Sequence, residues 1–150
     1  MNPLIKTHII QFVVMIIVGV CFNPMNMLAY RFDDLYLSLT LFYGGVLMAS
    51  NMMWSHEIVH YLSIGHFNQN IFLLGLVLSG VSIYLLRSQL FVTDEQWLKR
   101  MISHHSTALT TSHNILNKTK DMEVKELAND IIEIQDDEIE FMKNFIKNNA

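Results

Sequence analysis

Between residues 35 and 54, and again between 71 and 86, the chain carries no charged side chain at all. A run of roughly 20 apolar residues is what a helix needs to cross the hydrocarbon core of a bilayer, and few other environments accept such a segment. A third stretch, 9–22, is interrupted only by Gln11, with Lys6 and His8 at its start where they can snorkel to an interface. The sequence therefore predicts three membrane spans, about 9–22, 35–54 and 71–86, within a membrane region covering 1–90. A signal peptide is the competing reading of the first stretch. The next residues, Asn23-Pro24-Met25-Asn26-Met27, offer no small-x-small cleavage site, so a retained span is expected.

Charge placement divides the chain of 150 residues. Residues 1–93 hold Asp33, Asp34 and Glu57 against Lys6, Arg31 and Arg87, whereas residues 94–150 hold eleven acidic and seven basic side chains. With 51% hydrophobic and 16% charged residues overall, against about 25% charged in an ordinary soluble domain, a membrane protein with a polar appendage is expected. The net-acidic tail lacks the basic clusters that nucleic acid requires, so the expected partner is the lipid membrane and not nucleic acid. The single Cys21 excludes an intrachain disulfide. The loop charges leave the orientation open: the multi-pass protein is expected in a bacterial-type cytoplasmic membrane with its tail on either side.

Met48, Met52, His56 and His60 recur every four residues and so share one drifting helical stripe. The stripe contains His56-Glu57-Ile58-Val59-His60, an H-E-x-x-H pattern in which two imidazoles can hold zinc and the glutamate can act as general base. An intramembrane zinc protease is one reading. No third protein ligand is evident, and the blander reading is a helix end at the headgroup level with methionine as packing. A soft-metal transit site of Met and His lies between the two.

Residues 91–150 read as a helical hairpin. Thr93-Asp94-Glu95-Gln96 forms a capping box. Leu98, Ile102, His105, Leu109, Ser112 and Leu116 then repeat with 4,3,4,3,4 spacing, the stripe of an amphipathic helix. After a turn at Lys118-Thr119-Lys120, with Asp121 as N-cap, a second helix repeats the spacing through Leu127, Ile131, Ile134, Glu138, Phe141 and Phe145. Antiparallel pairing of these stripes sets His105 opposite Glu138 and Met101 beside Met142, with Gln135 next to Ala108 and His113 level with Asp130. The cluster has two readings: a buried His–Glu pair that fixes helix register, or a metal site in which imidazole and thioether suit Cu(I) and an added carboxylate allows Cu(II) or zinc. A di-iron site would need more inward carboxylates than this hairpin has.

The segments Trp97-Leu98-Lys99-Arg100-Met101-Ile102-Ser103-His104-His105, Leu127-Ala128-Asn129-Asp130-Ile131-Ile132 and Gln135-Asp136-Asp137-Glu138-Ile139-Glu140-Phe141-Met142 together resemble the domain-of-unknown-function family 305 (DUF305), over about residues 90–147. Phe42-Tyr43 through Met48 and Met52 is similar to the second span of a multi-span membrane branch of that family. The resemblance implies a ferritin-like helical bundle, no enzymatic activity, and copper binding as in some secreted members. Carried over, it marks Met101, His104, His105, Gln135, Glu138 and Met142 as metal ligands. The chain departs from the family in having fewer methionines than its secreted copper binders, and Ser103 where many members have proline.

The expectation is thus an all-α protein, three transmembrane helices followed by an antiparallel hairpin forming half a ferritin-like bundle, that binds copper, or alternatively zinc, for sequestration or handling. Two helices make half of a four-helix bundle, so a homodimer through the hairpin is expected. The intramembrane zinc protease and a structural or assembly protein with a His–Glu register pair are the alternatives.

Overall fold

The computed structural model describes residues 3–149, all of them in helices, turns or connecting segments, with no strand among the described residues. Helix α1 spans Pro3–Cys21, the short α2 Pro24–Met27, α3 Leu39–Ile64, α4 Gln69–Ser88, α5 Asp94–Leu116 and α6 Met122–Asn149, with a 3-10 turn at Phe32–Asp34. The chain forms two compact units. One comprises Met1–Phe22 and Leu39–Phe91, the other Asn23–Ser38 and Val92–Ala150.

In the first unit α3 packs against both α1 and α4. The interior is built from small residues: Gly45, Ala49 and Ser50 of α3, and Gly75, Ser79 and Ser82 of α4, are buried. A Cβ on Gly45 would sit 2.8 Å from Val20 Cγ2, and one on Gly75 would sit 2.9 Å from the Trp54 backbone nitrogen, so the helices approach to backbone contact at both crossings. The buried hydroxyls are satisfied locally, Ser50 donating to the Val46 carbonyl and Ser82 to the Leu78 carbonyl, while Ser79 donates to Asn51 Oδ1 across the helix pair. Large apolar side chains face outward, among them Ile10, Val14, Ile17, Leu74, Val77 and Val81. Gly65 (φ 72) ends α3, its N–H donating to the Tyr61 carbonyl.

Two stretches, Lys6–Met27 and Gln69–Ser88, are long and apolar enough to cross a membrane. The span expected at 35–54 does not join them. Residues 35–38 are extended and belong to the other unit, and α3 then runs on to Ile64, its apolar character diluted by Ser50, Asn51, His56, Glu57 and His60.

In the second unit α5 and α6 pair as a hairpin. Thr93 Oγ1 accepts from the Gln96 N–H at the start of α5, and Asp121 Oδ1 accepts from the N–H groups of Glu123 and Val124 at the start of α6. The α5 stripe is as expected, with Leu98, Ile102, Leu109 and Ser112 buried. The α6 stripe is not. The face turned inward carries Ala128, Ile132, Ile139, Met142 and Ile146, one residue further along the chain, which is about 100° of helix rotation. Leu127, Ile134, Phe141 and Phe145 are consequently exposed, Phe141 by 67%.

The segment 23–38 lies as a strap on this hairpin. Ser103, Ser106 and Thr107 of α5 bind its backbone: Ser103 Oγ donates to the Asp34 carbonyl (2.8 Å), Thr107 Oγ1 to the Met25 carbonyl (3.0 Å), and Ser106 Oγ accepts from the Tyr30 N–H (2.8 Å). On α6, Asp136 pairs with Arg31 (2.7 Å) and Lys143 with both Asp33 and Asp34. Asp136 and Lys143 are seven residues apart on one face of α6, and that face meets the strap. Tyr36 of the strap packs on the core of Leu98, Ile102, Leu109, Ile139 and Met142.

Candidate functional site

In the hairpin, Met101, His104, His105, Gln135, Glu138 and Met142 line one cleft of about 610 Å³. Met142 is buried, Met101, His105 and Gln135 are half-buried, and His104 and Glu138 are exposed. The floor is the apolar core on which Met101 packs, and Trp97 and Phe141 form part of the wall. The two imidazoles of His104 and His105 are edge to face with centroids 5.9 Å apart.

His105 Nδ1 lies 3.0 Å from Glu138 Oε2, without the alignment of a hydrogen bond, and Gln135 Nε2 donates to the same oxygen at 3.2 Å. The register that sets His105 opposite Glu138 is therefore present. Glu138, however, stands at the mouth of the cleft, its side chain half exposed, and not inside a closed apolar seam. The one-residue rotation of α6 moves it outward. Burial pushes the His105 imidazole below its ordinary value, Glu138 pulls it partly back and neighbouring His104 lowers it further, so His105 is neutral at neutral pH. With Nδ1 turned toward Glu138, Nε2 is the ring nitrogen on the side away from that carboxylate.

His113, expected level with Asp130, is occupied elsewhere: it stacks on Tyr30 of the strap at 4.7 Å, and Nδ1 faces the Leu109 carbonyl at 2.8 Å.

In the first unit the stripe Met48, Met52, His56 and His60 is divided. Met52 and His56 line a small cavity between α1 and α3, whereas Met48 packs at the Gly19–Gly45 crossing. His60 stacks between His56 (5.2 Å) and His66 (5.9 Å). Glu57, which the H-E-x-x-H reading requires as a general base, is buried, and its Oε2 accepts the Asn68 N–H at 2.9 Å, so it ties the α3–α4 turn. Among the described residues no three His, Cys, Asp or Glu side chains are grouped so as to hold a metal ion, so a site here must draw on thioethers.

Sequence reasoning misses the strap contacts. Asp33, Asp34 and Arg31 are three of the six charges in residues 1–93, and that concentration between two apolar stretches is the one signal of them.

Residues 85–147 match the family described as "Domain of unknown function (DUF305)". The similarity extends beyond that region: the uncharacterized protein L153 of Acanthamoeba polyphaga mimivirus is 34% identical over 126 residues, 83% of this chain and 81% of that protein. The chain belongs to the DUF305 family. Its hairpin and cleft lie within the matched region, whereas most of the first unit and the strap precede it. No solved structure matches the chain.

Proposed function

We propose that this DUF305 protein is an integral membrane protein whose hairpin binds a soft transition metal, copper, for sequestration or handling. The observation that carries the reading is the single cleft lined by Met101, His104, His105, Gln135, Glu138 and Met142. Two imidazoles and two thioethers are a donor set suited to Cu(I). Glu138, 3.0 Å from His105 Nδ1, is placed to serve this set from outside, where carboxylates stand behind metal-bound histidines. Zinc would instead have to draw Glu138 in beside the two imidazoles as a third ligand.

Membrane insertion is supported by the distribution of side chains in the first unit. Helices that pack through Gly, Ala and Ser while turning Leu, Ile and Val outward are suited to lipid, where close backbone packing replaces the hydrophobic effect. Pairing of two hairpins is supported by the exposed stripe Leu127, Ile134, Phe141 and Phe145.

The test is competition with a Cu(I)-specific chelator on the full chain in detergent, with Zn(II) titrated in parallel. His104→Ala/His105→Ala is expected to abolish one copper equivalent, and Glu138→Gln to weaken it about 10–100-fold, as changes behind a metal-bound histidine do. The His105–Glu138 contact favours one other reading, a register device. Wild type and double variant alike failing to bind copper, with a stability loss in the variant, would establish it.

A further inference from the structure

The first unit contains a second set of soft donors, assembled from two helices far apart in the chain. His8 and Met15 of α1 and Met52, Met53 and His56 of α3 line a cavity of about 20 Å³. A single water needs roughly 10–15 Å³ of such space, so this crevice, partly open beside the exposed Met52, has room for one water or one ion. Its lining is rich in nitrogen and sulfur donors, in contrast to the aliphatic and aromatic carbon that lines dry cavities. Here two imidazoles, three thioethers and the Gln11 side chain border one small crevice, with Phe12 and Ala49 completing its wall.

His8 and Met15 are seven residues apart on α1, and Met52 and His56 are four apart on α3, so each pair falls on one helical face, and the two faces meet at the cavity. No carboxylate lines it. A site of neutral, soft donors with no counter-charge favours a monovalent soft cation over a divalent one, since the residual charge left between the helices is smaller. From His56 the imidazoles continue outward, His60 at 5.2 Å and then the exposed His66 at 5.9 Å, giving a row of ligands from the α3–α4 turn to the cavity.

We infer that the cavity between α1 and α3 is a binding site for one Cu(I)-class ion, held by His8, His56 and the thioethers of Met15, Met52 and Met53. His60 and His66 form its approach. The site is separate from the hairpin cleft and does not depend on it.

Ag(I) and Cu(I) titrations of the full chain in detergent, against a competing chelator, test it. Removing the hairpin donors with His104→Ala/His105→Ala is expected to leave one equivalent bound. Adding His8→Ala/His56→Ala is expected to remove it. Because loss of two side chains at a helix contact can disturb folding, Met15→Leu/Met52→Leu/Met53→Leu provides a volume-conserving second variant. In the hairpin-deficient background it is expected to weaken Ag(I) binding at least tenfold while helicity is unchanged. The inference is overturned if the hairpin-deficient chain binds no Ag(I), or if the leucine variant binds it as tightly as its parent. A wild type with one equivalent that survives in the hairpin variant and is lost with His8 and His56 would instead refute the hairpin reading and leave this one standing.

Discussion

Asp34 is fully buried, and the surroundings explain how the hairpin tolerates it. Its Oδ2 accepts from Ser106 Oγ at 2.6 Å, and its other oxygen faces the Lys143 ammonium. Burial pulls Lys143 down, but the hydrogen bonds and charges of Asp33 and Asp34 outweigh it, so the ammonium titrates above its ordinary value and stays charged. Removing one partner of such a pair strands the other, so Lys143→Met is expected to cost about 3 kcal/mol in denaturant unfolding. Ser106→Ala should cost about 1–3 kcal/mol, and exposed Thr111→Ala little. Ser103 is used in the same way, as an anchor for the strap. None of this was legible in the sequence, because Asp34 and its partners lie about 70 to 110 residues apart and no local pattern links them. The His105–Glu138 pairing was legible, since it derives from two periodicities read against each other. That histidine also carries a pH dependence. With its pKa held below the unfolded value of about 6.5, the unfolded chain takes up the proton first as pH falls. Stability is therefore full above 6.5 and declines below it until the folded pKa is passed. Denaturation midpoints between pH 7 and 5 should show this slope, and His105→Gln should flatten it.

At the scale of the helix, α5 and α6 begin and end close to their capping signals, which are local and therefore readable. The facing of α6 is not, because the sequence contains two apolar stripes of equal spacing offset by one residue. The observed facing is the one that brings Asp136 and Lys143 to Arg31, Asp33 and Asp34, partners outside the hairpin's own sequence. In the first unit the decisive elements are the glycines at crossings. A methyl group on Gly75 would meet the Trp54 backbone, which cannot give way, so Gly75→Ala is expected to destabilise the α3–α4 pair by about 1–3 kcal/mol. A Cβ on Gly80 meets open space, and Gly80→Ala should be neutral or stabilising by up to about 1 kcal/mol. Unfolding in mixed micelles, followed by circular dichroism, distinguishes the two.

Across the molecule, composition divides an apolar part from a charged one, and the structure likewise forms two units. The strap crosses that division: it sits between apolar stretches in sequence yet belongs with the hairpin. Apolar runs reveal where lipid can be tolerated, but they carry no information about which loop docks on which domain. The exposed stripe on α6 belongs to this scale too. If two hairpins complete a bundle, Leu127→Lys/Ile134→Lys should convert a dimer to a monomer in analytical ultracentrifugation. A wild-type monomer whose hairpin amides are already protected from exchange would refute the pairing. The strap has a further consequence for how the chain is made. Arg31 leaves the ribosome 105 residues before Asp136, and Asp33 110 residues before Lys143. Throughout that interval the acidic pair must remain hydrated, and closing so long a loop is slow compared with forming either helix. A chain broken off after α5 but before Lys143 would keep the Ser103, Ser106 and Thr107 contacts of the strap yet leave Asp34 without its cation. The charge pairing of the strap thus waits on the translation of α6, whereas its hydroxyl contacts need only α5.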